Sequence, residues 1–170
     1  MNPTLNEVAS AIQERFGLER TEFREQITLF VAPERIVEVV RTMRDEFGFE
    51  MLVDETAVDY WPQEEPRFHV IYQLRDIRRG LLLTLRVPLN GHTPRLETME
   101  KIFPNANWHE RELWDMFGIY FEGHSDMRRI LMPYDWEGHP LRKDYPLGYE
   151  EVHFTFNTGD YKMRKPHPKE

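Results

Sequence analysis

Three acids fall within six residues at Glu110, Glu112 and Asp115, and paired carboxylates are the usual equipment of acid–base catalysis. Here the pattern fails that test. Glu110 and Glu112 are two apart and would point to different faces of a helix, and no glycine-rich loop, nucleophile or metal-ligand set accompanies them. A structural assignment suits them better. Glu110 can reach back to the Asn107 amide at a helix start, and Arg111 stands at ion-pair spacing from Asp115, where an exposed pair contributes about 0.3–0.5 kcal/mol. No catalytic residue is assigned.

His109, His124 and His139 invite a metal, but they stand fifteen residues apart with no HxxxH-type pair to seed a site. No metal or cofactor ligand is assigned, and the imidazoles of His124 and His139 are expected to donate to a backbone carbonyl or a partner carboxylate in turns. Two basic pairs, Arg128-Arg129 and Arg142-Lys143, are separated by Asp135 and Glu137. That interruption suits salt bridges to a protein better than a continuous patch for phosphates or anionic lipid.

The totals bound what must position these residues. A chain of 170 residues with 40% hydrophobic and 31% charged residues has the composition of one folded domain with length to spare. Zero cysteines remove disulfides, iron–sulfur clusters and thiolate zinc sites, so any redox role uses cofactors carried by another chain. A net charge of -8 argues against nucleic-acid binding. From His124 to Glu170 eight acids balance eight bases, so the acidic surplus belongs to residues 1–123. No eighteen-residue apolar run and no signal-like N-terminus are present, which predicts a cytosolic chain that is at most peripheral to a membrane.

Thr4 and Glu7 form a capping box before Leu5, Val8, Ala9, Ile12 and Phe16, which recur at helical spacing up to Gly17. Ile27, Leu29 and Val31 fit one face of a strand. Pro33 suits the start of a second helix striped by Ile36, Val39, Val40, Met43 and Phe47. Extended segments are predicted over about 49–60, 67–75 and 81–87, the last two as a hairpin in which Phe68, Val70, Tyr72 and Leu74 share a face. Thr93-Pro94 predicts a short helix burying Leu96, Met99, Ile102 and Phe103, and Asn107 with Glu110 opens another from Trp108 to Phe117, closed by Gly118. The order predicts an α+β class: a mixed β-sheet with helices packed on it over residues 1–118, then an extended, largely irregular C-terminal arm over 119–170.

That arm is rich in Trp, Tyr, Leu and Ile yet has no secondary-structure period, so neither a disordered linker nor a self-contained domain describes it. It could fold back over the chain's own sheet, or it could lay aromatic and aliphatic anchors, with Arg for carboxylates, on another protein. Trp114 and Phe117 are expected to seat the preceding helix, and Arg128, Arg129, Trp136, Leu141, Arg142 and Tyr145 to anchor the arm to a partner.

The run Glu110-Arg111-Glu112-Leu113-Trp114-Asp115-Met116-Phe117-Gly118-Ile119, then Gly123-His124, Arg128-Arg129-Ile130-Leu131, and Gly138-His139-Pro140-Leu141-Arg142-Lys143-Asp144-Tyr145-Pro146-Leu147, closely resembles the signature of the C subunit, of the 30 kDa type, of proton-pumping NADH:quinone oxidoreductase, respiratory complex I. Thr56-Ala57-Val58-Asp59-Tyr60 is similar to that family's strand ending, and Ser125 departs from the Pro common after its His. The resemblance implies a non-catalytic scaffold whose arm wraps the D subunit chiefly and the B subunit as well, at the cytoplasmic face of the membrane. Flavin, iron–sulfur clusters and quinone would be carried by other subunits. The same resemblance extends to the equivalent subunits of ferredoxin-dependent dehydrogenases and membrane-bound hydrogenases.

Overall fold

The Thr4 hydroxyl accepts the Glu7 N–H while the Glu7 carboxylate accepts the Thr4 N–H at 2.7 Å, so both halves of the capping box form at the head of helix α1 (Leu5–Phe16). Gly17 ends the helix in the left-handed conformation, φ 63°, and Val8, Ala9, Ile12 and Phe16 are buried. A computed structural model describes residues 4–146 of the chain. The end of the motif at Leu147 and the rest of the tail lie outside those residues.

Strands β1 (Glu19–Phe23) and β2 (Gln26–Phe30) follow as a hairpin whose two-residue loop, Arg24 and Glu25, has positive φ at both positions. After a single 3-10 turn at Pro33–Arg35, helix α2 (Ile36–Asp45) buries Ile36, Val39, Val40 and Met43 of the predicted stripe, whereas Phe47 lies past its end and is half-buried. Strands β3 (Met51–Asp59), β4 (Phe68–Asp76) and β5 (Leu81–Leu89) complete a five-stranded sheet in the order β1-β2-β5-β4-β3. Only the β2–β5 pairing is parallel, so the sheet is mixed and the class is α+β, as expected.

Alternation along the strands decides which face is covered. Ile27, Leu29, Leu83, Leu85, Val87, Phe68, Val70, Tyr72, Leu74 and Ala57 join the buried residues of the helices in one core. Their neighbours Thr28, Thr84, Arg86, Ile71, Gln73, Thr56 and Val58 are half-buried or exposed. The helices therefore lie on one face of the sheet. Among the described residues, none of the helices is long and apolar enough to cross a membrane.

The segment after β5 corrects the sequence reading. In place of a helix from Thr93, residues Arg95–Glu97 form strand β6, paired in parallel with β7 (Tyr120–Glu122), and turns follow to Phe103. Leu96, Met99, Ile102 and Phe103 are buried as predicted, but Leu96 pairs with Phe121, 25 positions downstream, while the Ile102 and Phe103 N–H groups turn back to the Met99 carbonyl. Helix α3 (Ala106–Phe117) then packs on β3 and ends at Gly118, φ 76°. Ile119 and Phe121 return to the core, so the irregular stretch begins beyond Gly123.

Candidate subunit interface

The carboxylate of Asp115 is fully buried on α3 and faces the arm rather than its helical neighbours. One oxygen accepts the N–H groups of Ile130, Leu131 and Met132 at 3.0, 2.8 and 2.9 Å, and the other accepts Arg129 Nη1 at 2.5 Å. Burial pushes this carboxyl up, but the three amides and the guanidinium outweigh it and hold Asp115 below the ordinary range. Three consecutive amides converging on one anion fix a stretch with no helix or strand of its own.

Arg129 extends the fastening through Nη2, which donates to the carbonyls of Trp136 at 2.7 Å and Gly138 at 3.0 Å. Its guanidinium lies over the Trp114 ring, 5.6 Å from the centroid. Arg111 donates to the carbonyls of Arg128 and Arg129 at 3.1 and 3.2 Å. The predicted Arg111–Asp115 pair therefore does not form, because each side chain is taken up by the arm's backbone. The predicted capping box at Asn107 also fails: the N-cap is Asn105, and Glu110 turns inward to accept the Thr98 hydroxyl and the Met99 N–H, both at 2.5 Å.

His124 and His139 bond backbone, as expected. His139 Nδ1 donates to the Asp115 carbonyl at 3.0 Å. His124 Nε2 donates to the Asn107 carbonyl at 3.1 Å, and its Nδ1 accepts the Asp126 N–H at 3.0 Å. Burial, together with the Arg129 and Arg142 charges, keeps His139 below the ordinary imidazole range despite its bond to the Asp115 carbonyl. Among the described residues no three His, Cys, Asp or Glu side chains converge as a metal site would need.

A second fastening lies at the far end of the arm. Asp59 ends β3 and Arg67 precedes β4, and both side chains are 2% exposed. Arg67 gives Nε and Nη2 to the two Asp59 oxygens, each at 2.9 Å, and Nη1 and Nη2 to Asp144 at 3.1 and 2.7 Å. The Lys143 N–H adds a bond of 2.8 Å to Asp59. Asp59 first and Asp144 next raise the already high pKa of Arg67 against its burial, and Arg67 holds the Asp144 carboxyl down at about 2 with help from Arg142. Sequence reasoning assigned no role to Arg67 or Asp144. The available signal was parity: Asp59 sits at a core-facing strand position, and an acid there requires a partner.

Residues 29–151 match the model of the family described as respiratory-chain NADH dehydrogenase, 30 Kd subunit. The chain belongs to that family. It is 49% identical over 151 residues to the C subunit of NADH-quinone oxidoreductase from Roseiflexus sp. (strain RS-1), covering 88% of this chain and 86% of that one. To its counterpart from Roseiflexus castenholzii it is 45% identical over 171 residues, covering 99% and 98%. Two solved structures share the fold. The trypsin-resistant fragment (1-134) of Nqo5 is 30% identical at a TM-score of 0.65, covering 72% of this chain and 98% of that one. A chain of the archaeal membrane-bound sulfane sulfur reductase is 25% identical at 0.72, covering 97% and 95%.

Within this 30 kDa family fold, the residues expected to anchor the arm occupy two kinds of place. Phe117 is in the chain's own core, edge-on to Phe68 with centroids 6.4 Å apart, and Trp114, Trp136 and Tyr145 are half-buried. Arg129 spends its donors within the chain, as described. Arg142 lies over Phe68, 5.4 Å from its centroid, and pairs with Asp144 at 3.2 Å. Arg128 and Leu141 face solvent. Of the two courses open to the arm, its backbone over the described residues takes the first and is ordered by the chain's own groups. Composition shows no period because the ordering groups are single buried ions on α3, β3 and the loop before β4.

Proposed function

We propose that this chain is a non-catalytic structural subunit of a complex I type NADH:quinone oxidoreductase, holding its redox-active neighbours in place with no cofactor of its own. Electrons pass over flavin, iron–sulfur clusters and quinone on other subunits, with proton translocation in the membrane part. The chain docks chiefly on the D subunit, with the B subunit beside it, and meets the cytoplasmic face of the membrane through the complex. The observation that carries this reading is the way the arm is held. Its backbone is pinned by Asp115, Arg129 and Asp59, and its Asp144 side chain by Arg67, while its large apolar side chains Leu131, Tyr134 and Leu141 remain 59%, 94% and 53% exposed. A segment held by polar bonds with its apolar groups outward presents anchors to a neighbour.

A second reading, in which the chain serves the equivalent place in a ferredoxin-fed dehydrogenase or hydrogenase-like membrane complex, draws on the near full-length likeness to the sulfane sulfur reductase chain. Purification of the tagged chain from solubilised membranes, with identification of what co-elutes, separates the two. NADH-oxidising subunits are expected beside the D and B subunits. The triple variant Leu131→Asp, Tyr134→Asp, Leu141→Asp should fold normally and lose them. Full co-elution by the triple variant would overturn the arm's role.

A further inference from the structure

Two carboxyl groups are buried where β3, β4 and α3 meet, and among the described residues neither is paired with a Lys or Arg side chain. Glu55 faces the core from β3 directly opposite Tyr72 on β4, and Glu110 is buried on α3, which packs on β3, close enough for its charge to act on Glu55. Glu110 is satisfied by Thr98 and Met99, whereas among the described residues neither Glu55 oxygen nor the Tyr72 hydroxyl has a hydrogen-bond partner in good geometry. A buried carboxylate with two empty oxygens is among the costliest groups a core can hold, and the inexpensive state of such a group is the neutral acid.

We propose that Glu55 and Glu110 form a buried acid pair that keeps one proton at neutral pH, Glu55 being the neutral partner, and that this proton fastens α3 to the sheet. Its release to solvent would place two anions in one dry site, loosening α3 and the arm seated on it.

Among the described residues, the acids facing the pair raise it and Tyr72 opposes on the Glu55 side. Asp54 adjoins Glu55 on β3, Tyr72 faces it from β4, and Glu100 adds negative charge beside Glu110. His124 Nε2 is 3.9 Å from Glu110, and its two ring nitrogens bond the Asn107 carbonyl and the Asp126 amide. Burial first, and the Glu110 charge second, push Glu55 well above the carboxylate range, with only Tyr72 opposing. Glu110 is pushed up to about 7 by burial, against the bonds from Thr98 and Met99. The sign follows from linkage. A carboxyl raised in the folded state binds its proton more tightly there than in the unfolded chain, so stability is full below the unfolded value and falls as pH rises through the folded one.

The test uses the full chain, with unfolding followed by urea titration from pH 6 to 9. The unfolding equilibrium constant of the wild type should rise by up to about tenfold per pH unit where folded and unfolded states differ by one proton. Glu55→Gln, neutral and of the same shape, should flatten that slope, and amide exchange should show α3 and residues 130–132 loosening first in the wild type. Infrared spectra at pH 7 should show the carbonyl stretch of a protonated buried acid that vanishes in Glu55→Gln. Glu110→Gln provides a second neutral variant should the first fold poorly, and it should also flatten the slope. A wild type lacking the protonated-acid band, or variants whose pH slope matches the wild type, would overturn the proposal.

Discussion

Arg67 and Asp144 stand 77 positions apart in sequence and meet through two hydrogen bonds of 2.7 and 3.1 Å. Asp144 is the outer member of a clamp whose inner half, Asp59 with Arg67, is sealed in the fold. The clamp ties the last described turn of the arm to the ends of β3 and β4, whereas Asp115 ties the arm's first part to α3. Between these two fixed points the chain has no other regular structure after β7.

Acid should release the far end of the arm. The Asp144 carboxyl is held down at about 2, so its contribution is complete above the unfolded value of about 3.9 and is lost as pH falls toward 2. Asp144→Asn should remove that acid dependence and raise amide exchange at 141–145 at neutral pH, with the exchange of β4 unchanged. Hydrogen exchange read residue by residue between pH 5 and 2 checks both outcomes.

Asp115→Asn exchanges an anion for a group with one acceptor and an NH2 that faces the donors it must meet. Three amides and Arg129 then compete for one oxygen. A loss of about 2–4 kcal/mol is expected from buried donors left unsatisfied. Urea unfolding gives the magnitude, and the exchange of Ile130, Leu131 and Met132 shows that the arm bears it.

Gly118→Ala strains the turn between α3 and β7 twice over. The backbone there has φ 76°, and an added Cβ would come within 2.7 and 2.8 Å of the His139 ring. The left-handed conformation alone costs about 1–2 kcal/mol for a residue with a Cβ. Displacing His139 would also break its bond to the Asp115 carbonyl. The melting temperature should fall, and Trp114, which meets the His139 ring edge-on with centroids 6.4 Å apart, should report the shift in fluorescence.

Tyr134→Ala, by contrast, should leave unfolding free energy within about 0.5 kcal/mol of the wild type, because the side chain is 94% exposed and buries nothing of its own. A large loss of stability would mean that Tyr134 packs within the isolated chain, against its placement here.

Where burial is one-sided, the sequence shows the structure directly. Val8, Ala9, Ile12 and Phe16 on α1, and Phe68, Val70, Tyr72 and Leu74 on β4, are all buried, because period and face are the same information. Strand β1 was not legible: its residues are exposed or half-buried and carry no apolar alternation. At Thr93 to Phe103 the apolar spacing mimics a helix, but pairing with Tyr120–Glu122 supplies backbone partners that no local pattern records. The anchoring helix was readable to its closing Gly118, while the destinations of Glu110, Arg111 and Asp115 were not. Each depends on a segment that arrives from elsewhere in the chain, and spacing along one helix says nothing of it.

The ionic clasp around Arg67 also sets how the molecule meets temperature. Apolar burial loses strength on cooling, whereas dehydrating a charged pair becomes less costly on heating. Warmth should therefore leave the clasp among the last attachments to fail, and cold should soften the layer between helices and sheet while the clasp stays closed.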